Sequence, residues 1–419
     1  MPARRILRRV RHARIPVPRD LAPITRRGAE EEAAAGGMKP QDVDAIWAAT
    51  ERLFRRGLHP TIAVCVRRNG RVVLDRTIGW SHGTGPDTDP SSATVSTPET
   101  PICLFSASKA ITAMVIHLLD EDGVLHVDDR VADYIPEFGQ HGKGWVTIRH
   151  VLTHRAGIPT TGGRGDLELL TDWDAIIRLL CEAEPLTRPG QNLSYHALTG
   201  GFVLGEIVQR VTGKDIRQVL QERILDPLGV ARLNYGVPAA DVPLVAENHF
   251  TGVPVFPPFS GIARFVLGMS FEDAAVLSNE ARFLEAIVPS GNIVGTAEEA
   301  SRFFQMLLDG GRWEGTQIFE PRTVNRATQQ TSYRELDSSL MLPLRYGVGF
   351  MLGGKWVSPF GPNTQAAFGH LGLMNIHCWA DRWRNTSVAI LTTGKPLISD
   401  HIPALYSLLA TVSARTPRA

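Results

Sequence analysis

The strand-forming segments of this chain lie near its two ends, and that placement limits the folds open to it more than any composition figure. Thr61-Ile62-Ala63-Val64-Cys65-Val66, the turn dipeptide Asn69-Gly70 and Val72-Val73-Leu74 read as a β-hairpin. Strand-like runs return only at 346–352, 364–369, 374–380 and 387–393. Between them, apolar residues recur at helical spacing from Ile102 to Leu119 and over 147–154, 172–183, 199–212, 215–225 and 296–309. Helices are also predicted from Pro40 to about Arg56 and over 401–412, whereas 234–290 reads as irregular and apolar. Strands at both ends must pair with each other to bury their faces. The expected architecture is therefore an α/β (α+β) fold, an antiparallel sheet flanked by helices with a mainly helical lobe inserted into it. The α/β lobe would take about 40–105 and 290–415, and the helical lobe about 106–289. A cleft between two such lobes is a favoured place for a small-molecule site.

Charge and cysteine usage narrow the function. The 419 residues carry 44 basic and 43 acidic side chains, a balance that argues against a nucleic-acid partner. No apolar run approaches the roughly 18 residues needed to span a bilayer, so no integral membrane segment is expected. Cys65, Cys103, Cys181 and Cys378 are scattered with no C-x-x-C pair, which fits buried thiols in a reducing, cytoplasmic setting and gives no metal site. Arg4, Arg5, Arg8, Arg9, Arg11 and Arg14 form a basic run, and Ile6-Leu7 is too short for a secretory signal core. With Glu30-Glu31-Glu32 read as linker, residues 1–37 are expected to be a disordered basic extension able to associate with an anionic surface, and 38–419 the folded domain.

The chemistry starts at Ser106-Ala107-Ser108-Lys109. Only six lysines are present (39, 109, 143, 214, 355 and 395) among the 44 basic residues. Arginine keeps its proton at any workable pH, whereas a desolvated lysine gives it up. Ser106 and Lys109, three apart on a helix, share a face, so the amine can serve as the base a serine nucleophile requires. The helix N-terminus adds free N–H groups facing developing negative charge. The plain alternative makes Ser106 a helix cap and Lys109 a surface residue.

Two later segments bear on that choice. Pro189-Gly190-Gln191-Asn192-Leu193-Ser194-Tyr195-His196-Ala197 places a phenol between a turn and a helix. It would relay the serine's proton if neighbouring cations lowered its pKa. In Phe368-Gly369-His370-Leu371-Gly372-Leu373, Gly372 admits close backbone approach to a ligand, and the following N–H would be an oxyanion donor. Other matches carry less. Gly79-Trp80-Ser81-His82-Gly83 fits G-x-S-x-G but is followed by loop residues rather than a helix. His150 and His154 have i, i+4 spacing without the Glu of H-E-x-x-H, and Thr393-Gly394-Lys395 reads as the end of the last strand.

In this order and at these separations the motifs resemble the β-lactamase-like serine hydrolases, of class C β-lactamase and family VIII carboxylesterase type. Asp120-Glu121-Asp122-Gly123-Val124-Leu125, Asp128-Asp129-Arg130-Val131, Tyr134-Ile135-Pro136 and Val146-Thr147-Ile148-Arg149-His150-Val151-Leu152-Thr153-His154 with Ala156-Gly157 extend the likeness over about 40–410. The resemblance implies the β-lactamase/transpeptidase-like fold and no cofactor. It also implies an acyl-enzyme on Ser106, with Lys109 and Tyr195 as one base-and-relay unit and the N–H groups of Ser106 and Leu373 as oxyanion hole. His370, Gly372 and His196 would line or support the substrate site.

Departures from the family pattern point to the substrate. Penicillin-directed members carry Tyr-x-Asn and Lys-Thr-Gly, where this chain has Ala197 and His370-Leu371-Gly372. A titratable imidazole and an alkyl group thus replace the cation and hydroxyl that would hold a substrate carboxylate. The expected activity is hydrolysis of neutral, short- to medium-chain esters, a carboxylesterase or lipase-like reaction, with the apolar stretch 253–267 a candidate acyl pocket. Alternatives are an acyltransferase using the same acyl-enzyme, a weak β-lactamase or D-peptidase, and a non-catalytic binding module.

Overall fold

A computed structural model describes residues 13–85, 93–333 and 335–418. Its main sheet is built from β1 (Thr25–Arg27), β2 (Thr61–Arg68), β3 (Arg71–His82), β4 (Arg345–Tyr346), β5 (Met351–Leu352), β6 (Ala367–Gly372), β7 (Ile376–Asp381) and β8 (Thr386–Thr392). They lie in the order β1-β3-β2-β8-β7-β6-β5-β4, and a ninth strand, Thr94–Val95, pairs with β3. All of these pairings are antiparallel. The two ends of the chain meet where β2 pairs with β8, from Ile62 opposite Thr392 to Arg68 opposite Thr386. The hairpin turn between β2 and β3 has φ 52° at Asn69 and 77° at Gly70, left-handed at both positions.

Helices α1 (Pro40–Phe54), α2 (Ser108–Glu121), α3 (Thr199–Thr212), α4 (Ala297–Leu308) and α5 (Ile402–Arg415) cover the sheet and build the lobe beside it. Alternation along β2 sorts the two faces. Ile62, Val64 and Val66 join Ile46 and Leu53 of α1 and Leu408 and Val412 of α5. Ala63 and Cys65 face the other way, into a core shared with Phe303, Phe304 and Leu307 of α4. Small residues on that face let α4 lie close, with Ser301 Oγ 3.1 Å from Cys65 Sγ. The second core continues into the inserted lobe, where Ala110, Met114 and Leu118 of α2 pack with Phe202 and Ile207 of α3.

Several expectations need correction. Residues 13–37 are not a disordered tail: Ile15, Leu21 and Ile24 are buried, and β1 pairs with β3. Glu30, read as linker, receives Arg76 Nε at 2.6 Å and the Asp75 N–H at 3.0 Å. Burial of those three apolar side chains and two charge-assisted bonds fasten the segment over an edge that would otherwise be open. The basic run from Arg4 to Arg11 lies outside the described residues. The run 346–352 is not one strand but a hairpin, β4 antiparallel to β5, with Gly349 between them at φ 98° against α2; an added Cβ there would lie 2.2 Å from Ala113 Cβ. The run expected to begin at 364 starts at Ala367. Within 234–290 stand three helices, Phe259–Leu267, Phe271–Leu277 and Ala281–Glu285. Their signals were legible: Ser270 caps the second by accepting the Asp273 N–H, and Gly268 closes the first at φ 72°.

Among the described residues no helix is long and apolar enough to cross a membrane. The four cysteines are free and buried, and no cluster of His, Cys, Asp or Glu has the makings of a metal site among those residues.

Candidate active site

The segment expected to be one helix from Ile102 is divided to present a serine. Ile102–Cys103 is a short strand paired with Ile293–Gly295, and Phe105–Ala107 is a single 3₁₀ turn ahead of α2. Phe105 has φ 48°, left-handed for an aromatic residue, a conformation that costs about 1–3 kcal/mol. Its surroundings hold it there. The Leu104 N–H donates to Ile293 O at 2.7 Å, and buried Ser108 donates its hydroxyl to Phe105 O at 2.5 Å while accepting the Ile293 N–H at 3.0 Å. Ser106, half-buried, is left facing a cavity.

Lys109, on the first turn of α2, is buried with Nζ 3.1 Å from Ser106 Oγ. The same nitrogen donates to Ala197 O at 2.7 Å and Ser290 O at 2.9 Å. Burial holds its pKa well below the usual lysine value. A neutral amine has two hydrogens and one lone pair. The two carbonyls take the hydrogens, so the lone pair is left for the serine hydroxyl. Ser290, unnoticed in the sequence, also accepts the Gly201 N–H and donates to Leu198 O, tying α3 to this point.

Tyr195 comes from the turn ahead of α3 and is buried, its ring centroid 5.0 Å from Lys109 Nζ and 4.7 Å from the His154 ring. Its backbone N–H donates to Asp337 Oδ1 at 3.1 Å, and the same oxygen accepts the N–H groups of Ser339 and Leu340. Sequence reasoning missed Asp337, which carries no motif. It also expected cations to lower the phenol's pKa. The structure reverses this: burial raises it, the hydrogen bond with the Ser106 hydroxyl pulls the other way, and the Asp337 carboxylate adds to the rise. The nearest amine is itself desolvated and supplies little positive charge.

The residues expected on the oxyanion side arrive on β6 and the turn after it. Leu373 shares the cavity wall with Ser106. Leu373 and Met374 have φ 38° and 68°, and the Asn375 N–H donates to Gly372 O at 3.2 Å, a tight turn built without glycine at its centre. Gly372 is required for a different approach from the one expected. An added Cβ would lie 2.0 Å from Leu104 O, so glycine lets β6 close on the nucleophile's own strand rather than on a ligand. His370 is buried, donates Nδ1–H to Leu371 O at 2.7 Å and leaves Nε2 without a partner among the described residues. Burial above all pulls its pKa down to about 3, so it stands as a neutral imidazole.

His196 proves to be a fastening. Its Nδ1–H reaches Ser194 O at 2.7 Å and its Nε2 accepts the Ile158 N–H at 3.3 Å, so neither nitrogen is free for substrate. His150 Nδ1 accepts the Thr147 N–H at a helix start, and His154 packs edge-on to Tyr346 at 5.1 Å; the two form no metal pair. Ser81 lies within β3 with its hydroxyl on Thr94 O.

The cavity beside Ser106 measures about 60 Å³ and is lined by Phe105, Leu170, Leu198, Met269, Leu277 and Phe283 among others, with no charged side chain. Of the stretch 253–267 only Leu267 reaches it. A larger hollow of about 570 Å³ near Arg164, Arg178 and Glu182 contains none of these groups.

A buried amine and a phenol stand behind a serine that opens on an apolar cavity, and a model of the beta-lactamase family matches residues 50–412. The chain belongs to the beta-lactamase family. Over 372 residues it is 31% identical to "Esterase/beta-lactamase LipL" of Mycobacterium tuberculosis (strain ATCC 25618 / H37Rv), covering 84% of this chain and 82% of that one. A penicillin-binding protein homologue from Caulobacter crescentus superposes with TM-score 0.78 at 29% identity, covering 90% of this chain and 99% of the other. A family VIII carboxylesterase gives TM-score 0.75 at 26%, covering 89% and 98%. The family and these neighbours support a serine hydrolase.

Proposed function

We propose that this protein is a serine carboxylesterase that hydrolyses neutral esters of short acids through an acyl-enzyme on Ser106. The uncharged cavity at Ser106 carries this reading. It is lined mostly by apolar side chains, small beside the ~150 Å³ that admits a benzene, and offers no charged group to pair a substrate carboxylate. The neutral His370, where penicillin-directed relatives carry a lysine, points the same way.

Neutral Lys109 accepts the Ser106 hydroxyl proton as Oγ attacks the ester carbonyl, and the N–H groups of Ser106 and Leu373 hold the oxyanion. The lysine ammonium then returns the proton, through the protonated phenol of Tyr195, to the departing alcohol. Water enters the vacated position, gives its proton to Lys109 and attacks the acyl carbon. The acid leaves and Ser106 regains its hydrogen. Two carbonyls on Lys109 steady the ammonium while it exists.

The test is a series of p-nitrophenyl esters from acetate to laurate alongside nitrocefin, with Ser106→Ala as control. The reading expects kcat/KM to peak at a short acyl chain, to be about a thousandfold lower for nitrocefin, and to vanish in the control. Comparable turnover of nitrocefin, or an active control, overturns it.

A further inference from the structure

Thr393-Gly394-Lys395, set aside in the sequence as a strand end, runs behind both halves of the oxyanion hole. Lys395 is fully buried, and its Nζ donates to Thr392 O and lies 4.7 Å from the centroid of the Phe105 ring. Phe105 is the left-handed residue immediately before Ser106. One residue on, Pro396 O accepts Asn375 Nδ2 at 2.8 Å. Asn375, also fully buried, closes the Leu373–Met374 turn through its N–H, lies with Nδ2 3.5 Å from Leu373 O, and accepts the Thr392 hydroxyl on its carbonyl at 3.0 Å. Gly394 permits this course, since a Cβ there would lie 1.7 Å from Leu58 O. The segment is pinned from outside by the Lys395 N–H to His249 O at 2.8 Å.

We propose that Lys395 and Asn375 are positioning residues for the oxyanion hole: segment 392–396 fixes the Ser106 N–H through the Phe105 ring and the Leu373 N–H through the Asn375 side chain. Two strained, non-glycine turns must present their N–H groups to one oxygen atom. Each turn alone would relax toward ordinary φ values. Bracing both from a single segment keeps the two donors at a fixed separation, which is what stabilisation of a tetrahedral oxyanion needs. Lys395 suits the place because a desolvated amine interacts with an aromatic face more strongly than an alkyl chain does. Burial brings its pKa down to about 7.

The proposal rests on Ser106 as nucleophile, and the experiment separates the two claims. Lys395→Met, nearly equal in volume, and Asn375→Ala are compared with wild type. A fluorophosphonate probe titrates the reactive serine. On titrated sites, kcat and KM are measured for p-nitrophenyl butyrate, and affinity is measured for butylboronic acid, whose tetrahedral adduct places an oxygen in the hole. Expected is a fall of about tenfold or more in kcat with KM within about twofold, and a parallel weakening of the boronate. A purely structural role would lower melting temperature and the titrated fraction but leave kcat per site and boronate affinity unchanged; that result overturns the proposal. If Lys395→Met does not fold, Asn375→Ala decides by the same readouts. Absence of probe labelling in wild type would instead sink the nucleophile assignment.

Discussion

Lys109 and Lys143 are both buried lysines whose Nζ donates to two backbone carbonyls, yet only one also faces a hydroxyl. Lys143 reaches Cys181 O at 2.9 Å and Ala183 O, and its third neighbour is the Phe138 ring, 5.3 Å away. Lys109 reaches Ala197 O and Ser290 O, and its third neighbour is a hydroxyl at 3.1 Å. Desolvation lowers the pKa of both; Cys181 and Glu184 then pull that of Lys143 back up, whereas burial is the sole resolved cause at Lys109. The difference teaches that burial lowers an amine's hold on its proton and the third neighbour decides its use. An amine facing a hydroxyl can serve as a base; one facing a ring is a strut.

The sharpest way to break this contrast is Lys109→Arg, which installs a permanent charge and removes the lone pair. Because a guanidinium holds its proton at all working pH, kcat/KM for a short ester should fall about a thousandfold or more at every pH from 6 to 10. Retention of a tenth of wild-type activity would refute the neutral-base account. In wild type, kcat/KM should rise with pH through the depressed pKa of Lys109 and then level. Tyr195→Phe should lose about a hundredfold, the range for a misplaced proton relay. Since burial raises the phenol's pKa, the wild-type profile should have no alkaline limb from phenol ionisation below about pH 10. A decline near pH 8 that disappears in Tyr195→Phe would contradict the assignment.

Why the sequence disclosed some of this and concealed the rest has a physical explanation. Ser106, Lys109 and Tyr195 were legible because their chemistry is fixed by side-chain type at short spacing. The β2–β8 junction was legible because β-branched alternation survives in the sequence. Asp337, Ser290, Asn375 and Lys395 were not, because they act through backbone atoms from distant segments. No local pattern marks a carboxylate that holds the Tyr195 N–H from 142 positions away. Gly372 was noticed for the right property and the wrong neighbour: the space it leaves is filled by Leu104 O. The ordering of residues 13–37 was hidden because Glu30 is a linker-like residue until Arg76 is brought beside it.

The desolvation that lowers the pKa of these lysines extends to the imidazoles, and there it governs stability. Burial lowers His117, His196, His377 and His401 to about 4 and His370 to about 3. The unfolded chain binds protons at these groups near pH 6.5, whereas the folded chain does not until far lower. Stability therefore rises with pH between about 4 and 6.5 and is lost as pH falls through that window, each imidazole adding about 1.4 kcal/mol per pH unit. The urea midpoint should drop steeply below about pH 6; a midpoint independent of pH down to 4.5 would show that these imidazoles are not held neutral.

The smallest effect belongs to the strut. Lys143→Met keeps the packing on Phe138 but leaves the Cys181 and Ala183 carbonyls without their donor, a loss of about 1–3 kcal/mol in unfolding free energy. Turnover per titrated serine should stay within about twofold of wild type, because nothing in the cavity touches this residue. The variant isolates the two halves of the comparison: a fall in melting temperature without a fall in kcat identifies an amine that only braces. A tenfold loss of kcat at unchanged KM would mean instead that the turn at 143 communicates with the nucleophile through α3, and the third neighbour would no longer suffice to tell a base from a strut.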